Sequence, residues 1–316
     1  MDTDTWRGVL RPGFEGANIR TWIGFKHFMY LAEAAVLEWF RERGIGPGTA
    51  YHRHGLGLSV VDSSVLLPAV LEVDDLVVAE AKPTRDGRFT VRLFSTGNGA
   101  DGTKKPALRG TVRVAAVRER EPAEPAPPPD PLTPLVVDGV AGAADGAERA
   151  GVIPVRDADP ATVLAPAGSP LVCWKSTVPY FHCHYSSRMQ HSGYVRALED
   201  VVERFLALRG ISVGRLLAER GWIPVVSRAR VRLLSDAYLE ETMYTTFTIE
   251  EVLKEVTFGG RMDCYAARGN ELVHAATATI LHGYAVTRGA GAGDLARFDA
   301  EVLDALRGEH TVVGGP

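Results

Sequence analysis

Two long amphipathic runs, residues 27–45 and 191–211, each open on His-x-x-Tyr, close on Arg-Gly-Ile and precede four strand-like segments. A chain that repeats one helix and four strands in the same order must bury the apolar side of each helix against an antiparallel sheet. That predicts an α+β fold of two similar units. The firmest register counts back from the closing Gly-Ile: Glu33 lies eleven residues before Gly44, and Glu199 eleven before Gly210, so Arg43 and Arg209 coincide as well. Tyr30 and Tyr194 do not coincide, so the two helix starts differ.

The strand-like runs cover residues 56–71, 75–83, 88–95 and 107–117 in the first half, and 222–234, 242–255, 257–268 and 271–286 in the second. The Asp-Gly at 86–87 and the Gly/Asn/Asp cluster at 97–102 read as turns. From Arg118 the chain becomes rich in proline, alanine and glycine, a composition that disfavours helices and sheet ladders. The expected organisation is therefore a first unit at 1–118, a connector at 119–170, a second unit at 171–288 and a tail at 289–316. In the tail, Leu295, Phe298, Val302 and Leu306 are spaced for a short docking helix.

Charged residues are 23% of the chain and the formal net charge is −4, a balance with no electrostatic pull toward nucleic acid or an anionic membrane. No apolar run approaches the ~18 residues of a membrane span, and the first ten residues lack a signal-like core, so a cytoplasmic location is expected. Cys173, Cys183 and Cys264 are odd in number and widely spaced, which fits reduced thiols.

The helix segments 32–44 and 197–210, in this order of elements, resemble the hotdog family, and in particular the central helix of the 4-hydroxybenzoyl-CoA thioesterase type. The resemblance implies a double hotdog, two antiparallel sheets each wrapping a long helix, with a site between the units. It also implies an acyl-CoA or acyl-carrier-protein substrate, thioester hydrolysis, no cofactor and further pairing as a homodimer. A setting in polyketide or fatty-acid-like biosynthesis would follow. The family's Asp-x-x-Gly ahead of the helix is matched by Thr21-Trp22-Ile23-Gly24, which keeps only the Gly, and by Ser187-Arg188-Met189-Gln190, which keeps neither residue. Alternatives implied by other hotdog enzymes are dehydration, for which His27-Phe28 lacks the following Pro, and acyl transfer with decarboxylation through a tyrosine such as Tyr30 or Tyr51. A silent binder of a hydrophobic intermediate is the non-enzymatic alternative.

On a helical wheel Glu33 falls within about 60° of Tyr30, Val36, Leu37 and Phe40, so a carboxylate interrupts the apolar face. Such a group either sits at the mouth of a groove or is buried with a raised pKa, and a raised pKa suits general acid or base chemistry. Glu199 lies at the edge of the second stripe. His27 and His191 precede the helices, where free backbone N–H groups can polarise a carbonyl. Gln190 and Tyr194 join His191 as candidate catalytic groups; Tyr30, Tyr51, His184 and Arg188 are candidate substrate contacts. The run 181–185, Phe-His-Cys-His-Tyr, read as a strand sends His182 and His184 to one face and Cys183 to the other, so no metal site is expected. The His-x-His at 52–54 is expected in an exposed loop.

Overall fold

A computed structural model of the protein describes residues 4–96, 104–119, 124–143, 150–184, 186–289 and 291–308. The first half runs β1 (Trp6–Leu10), α1 (Phe25–Glu42), α2 (Pro47–His54), β2 (Leu56–Leu66), β3 (Val77–Pro83), β4 (Arg88–Ser95) and β5 (Lys105–Arg118). Three short elements follow: β6 (Val136–Val137), β7 (Val152–Pro154) and α3 (Pro160–Leu164). The second half repeats the plan with β8 (Val172–Thr177), α4 (His191–Leu208), α5 (Val213–Arg220), β9 (Trp222–Leu233), β10 (Thr242–Leu253), β11 (Thr257–Arg268) and β12 (Glu271–Val286), and ends in α6 (Ala300–Arg307).

Among the described residues the strands form one 12-stranded sheet with the path β1-β3-β4-β5-β2-β9-β12-β11-β10-β8. Each half thus contributes the same strand order, and β2 joins β9 antiparallel at the centre. The joint has its own symmetry: Asp62 pairs with Arg232, Leu66 with Arg228, and Ser64 with Arg230. A local two-fold axis therefore passes beside Ser64 and Arg230. Asp62 secures the joint by accepting two bonds from the Arg230 guanidinium, at 3.1 and 2.9 Å.

The repeat holds at a constant offset of 166 in residue number from the helix starts through β9. Gly24 N–H donates to Gly16 C=O and Gln190 N–H to His182 C=O, both at 2.9 Å; Ile23 N–H donates to Leu71 C=O and Met189 N–H to Ala237 C=O, both at 2.8 Å. β2 bulges at Val61 and β9 at Ser227, again at matching positions. Arg-Gly-Ile recurs because it stops each helix. Gly44 and Gly210 take φ of 72° and 75°, where a Cβ is strained. The following Ile N–H reaches back to Phe40 or Leu206 C=O, burying Ile45 and Ile211. Arg43 and Arg209 stack over Trp39 and Phe205.

Phe40 and Val36 on α1, and Phe205 and Leu198 on α4, are inaccessible or nearly so and belong to one apolar core that runs through both halves. Each such side chain contributes about 1.5–3 kcal/mol by leaving water.

Three expectations are corrected. The His-x-His at 52–54 is not a loop: Pro47 starts a helix and Gly55, at φ 63°, ends it, as Gly221 ends α5. The run 181–184 is not a strand but a 3-10 turn at Tyr180–His182, and Tyr185 lies outside the described residues. The helix at the tail begins only at Ala300, capped by the Asp299 carboxylate at 3.0 Å, so Val302 and Leu306 are buried while Leu295 stays 55% exposed. In the described parts of the connector, β6 adds to β5 and β7 to β12. The expected turn at 97–102 lies outside the described residues.

Candidate active site

α1 and α4 lie antiparallel along a seam over the central strands. Three contacts mark it in order: Lys26 with Glu199 at 2.7 Å, Tyr30 Oη with the Ser192 carbonyl at 3.5 Å, and Glu33 with His191 Nδ1 at 3.9 Å. Seven residues of α1 separate the two ends of this seam, about 10 Å of helix.

At the Glu33 end the polar groups converge. His191 is the first residue of α4, and its Nε2 lies 2.7 Å from Ser63 Oγ on β2. Both side chains are buried, at 3% exposure. Burial holds the imidazole well below its usual range, at about 4, so it stays neutral at physiological pH; the Asp62 charge opposes this weakly. Ser63 donating to Nε2 leaves the remaining ring proton on Nδ1, facing the Glu33 carboxylate, at a distance too long for a direct bond. Glu33 keeps 26% of its side-chain surface accessible but is deeply enclosed by protein, and that desolvation alone pushes its carboxyl up to about 7. It can therefore give and take a proton near neutrality. At the start of α4 the Gly193 N–H donates to Gln190 C=O at 2.9 Å, while the His191 and Ser192 N–H groups have no acceptor within the helix; the N-cap Gln190 makes no side-chain cap, its amide donating instead to Arg188 C=O at 3.4 Å. A developing oxyanion has donors there.

The other candidates fall into distinct places. His184 Nε2 meets Ser192 Oγ at 2.7 Å beside this corner, and its pKa is lowered by burial and by Arg196. Tyr30 lies mid-seam under Arg196, its phenol pushed up to about 12 by burial. Arg188, 4% exposed, is held between Glu119 and Asp236 at the junction of β5, the connector and the second half, a structural clamp. Tyr194 is wholly buried, and burial raises its phenol well above its usual range. Tyr51 lies on α2, edge-on to His52. Glu199 is at the opposite end of the seam, paired with Lys26.

His27 does not correspond to His191. In the three-dimensional register His27 matches Gly193, and Phe25 matches His191. The halves have exchanged a ring for a glycine: the His27 imidazole fills the space where a Cβ on Gly16 would stand, at 2.5 Å, while His182 fills that over Gly193, at 2.9 Å. Gly16 and His182 are themselves equivalent. His27 thus packs into the first helix start, its pKa lowered chiefly by burial.

Ser63 escaped the sequence reading. A serine on a strand carries no periodic signal, and its partner is 128 residues away. Among the described residues, no cluster of His, Cys, Asp or Glu is arranged to hold a metal, and all three cysteines are buried and free. Among the described residues, no helix is long and apolar enough to cross a membrane.

Neither a protein-family model nor a curated protein sequence matches this chain. Solved structures do. A protein described as an oleoyl thioesterase from Lactobacillus plantarum superimposes with a TM-score of 0.56 at 12% identity, covering 88% of this chain and 95% of its own. The 12:0-ACP thioesterase from Umbellularia californica gives 0.54 at 11% identity, covering 89% and 94%. An acyl-ACP thioesterase from Bacteroides thetaiotaomicron gives 0.53 at 8% identity, covering 89% and 98%. The chain folds as a double hotdog. Within this double hotdog the His191 corner belongs to neither half alone: the second half supplies the imidazole and helix start, the first half Glu33 and Ser63.

Proposed function

We propose that this double hotdog hydrolyses acyl thioesters carried on CoA or an acyl carrier protein, at one site, the His191 corner. The observation that carries the reading is a carboxyl group held near 7 on an apolar helix face, beside a neutral imidazole and the start of a long helix that no side chain caps. The named activities of the three structural neighbours support the same class. In the reaction, Glu33 takes a proton from a water whose oxygen bonds to the thioester carbon. The carbonyl oxygen becomes an oxyanion facing the first-turn N–H groups of α4. As the C–S bond breaks, the carboxylic acid of Glu33 returns the proton to the thiolate. Ser63 and His191 form a fixed wall that orients Glu33 and the water.

The matching corner at the other end of the seam has Phe25 for His191, Ala229 for Ser63, and a Glu199 neutralised by Lys26. It lacks the means to activate water. Release of free thiol from a panel of acyl-CoA and acyl-carrier substrates tests the reading: wild type turns over, Glu33→Gln loses about 10²–10⁴-fold, and Glu199→Gln stays within about twofold. Absence of turnover with every substrate, with analogue binding intact, leaves a silent binder instead.

One distance supports a second reading. Ser63 Oγ at 2.7 Å from His191 Nε2 has the contact of a nucleophile and its base. Acyl transfer through Ser63 predicts a protein mass raised by one acyl group during turnover and absent in Ser63→Ala.

A further inference from the structure

The silent corner has not closed up. A cavity of about 590 Å³ lies there, lined among others by Phe25, Phe28, Val202, Val226 and Ile280. Its position repeats that of the His191 corner about the local two-fold axis: a helix start (Gly24 and Phe25), the facing helix (Glu199), and a central strand (β9). The volume falls in the range that takes a small-molecule ligand, about 300–1,000 Å³. Had the second site simply lapsed, large side chains packed to interior density would be expected in its place.

The lining states what fits. Most of it is apolar, which suits an alkyl chain. Glu199 and Glu203 on its wall disfavour a free carboxylate, whereas the α1 start, with a glycine N-cap and no side-chain cap, offers N–H groups to a neutral carbonyl. His282 also lines the cavity; its ring stacks on Phe258, is kept neutral by burial, and its Nδ1 has no partner among the described residues. The Lys26–Glu199 pair at the cavity wall and the Tyr30–Ser192 contact lie along the seam toward the His191 corner.

We propose that this cavity is a second acyl-thioester site, one that binds the ligand and leaves it intact because Phe25 and Ala229 have replaced the groups that act at the first. The ligand class rests on the thioesterase reading above; the cavity and its asymmetry do not.

Isothermal titration of the full chain with S-(2-oxotetradecyl)-pantetheine, a ketone that keeps a carbonyl beside the sulfur and cannot be hydrolysed, counts the sites. Two molecules per chain are expected for wild type and for Glu33→Gln. Ala69→Trp at the cavity rim and Val226→Phe in its wall, two fillings of different depth in case one fails to fold, should each reduce the count to one and leave thiol release within about twofold. One molecule per chain in wild type overturns the proposal. So do fillings that shift the acyl-length preference of turnover, since the cavity would then hold the tail of a substrate at the first site. Two bound molecules with no turnover of any thioester uphold the second site while refuting the hydrolase reading. A single bound molecule with normal turnover does the reverse.

Discussion

Replacing Glu33 by glutamine should make the protein more stable while making it inactive, and the gain should depend on pH. The carboxyl moves from an ordinary value of 4.5 to about 7 in the folded state, with burial as the cause. At about 1.4 kcal/mol per unit, the ionised form costs the fold up to about 3 kcal/mol; the quarter of the side chain that stays accessible makes this a ceiling. Below 4.5 the carboxyl is protonated in both folded and unfolded chains and nothing is lost. Between 4.5 and 7 the unfolded chain releases its proton first, so stability falls, and above 7 the whole cost is present. Glutamine is nearly isosteric and does not titrate. Urea unfolding of wild type and Glu33→Gln should therefore coincide near the lower bound and differ by about 2–3 kcal/mol in favour of the variant about one to two units above 7. His191 titrates between 6.5 and about 4 in both proteins, so its contribution largely cancels in the comparison. A variant that is equally or less stable at the alkaline end would refute the claim that burial raises this carboxyl.

Activity should carry the same signature: kcat/KM in the wild type should rise with pH and level off above about 7, the value at which Glu33 loses its proton; a flat profile across that range contradicts the assignment. Ser63→Ala should leave the buried His191 Nε2 unpaired and cost about 1–3 kcal/mol in thermal unfolding; no change would mean that the bond is not formed. Arg188→Met should remove the buried cation that Glu119 and Asp236, both half-buried, share and cost about 3 kcal/mol by urea unfolding, and a neutral result would deny the clamp. Gly193→Ala should clash with the His182 Cβ, 2.9 Å from the added methyl, and lower the melting temperature, with His182→Gly in the same chain restoring part of the loss.

Much of the fold is legible because periodicity and turn chemistry are local. The helices, the four strands after each and the Arg-Gly-Ile stops follow from spacing and from the one glycine that tolerates positive φ. The equivalence of Glu33 and Glu199 follows from counting. Their different environments do not, because Lys26 reaches Glu199 across the seam, and Ser63 and His191 meet across 128 residues. The shared His-x-x-Tyr misleads for a physical reason: the ring that fills the helix start comes from the helix in one half and from the preceding turn in the other, so His27 and His191 share a motif without sharing a place. The helix at 47–54 is hidden by its polar run of His52, Arg53 and His54, although Pro47 and Gly55 bracket it as start and stop signals.

The most direct test of a single working site built across both halves is a crystal structure with a nonhydrolysable acyl-pantetheine. The carbonyl of the productively bound molecule should lie within hydrogen-bond reach of the first turn of α4, with Glu33 as the nearest carboxylate to its carbon and Ser63 bonded to His191 behind it. A carbonyl seated only at the start of α1, beside Phe25 and Glu199, with the α4 corner unoccupied, would contradict the account.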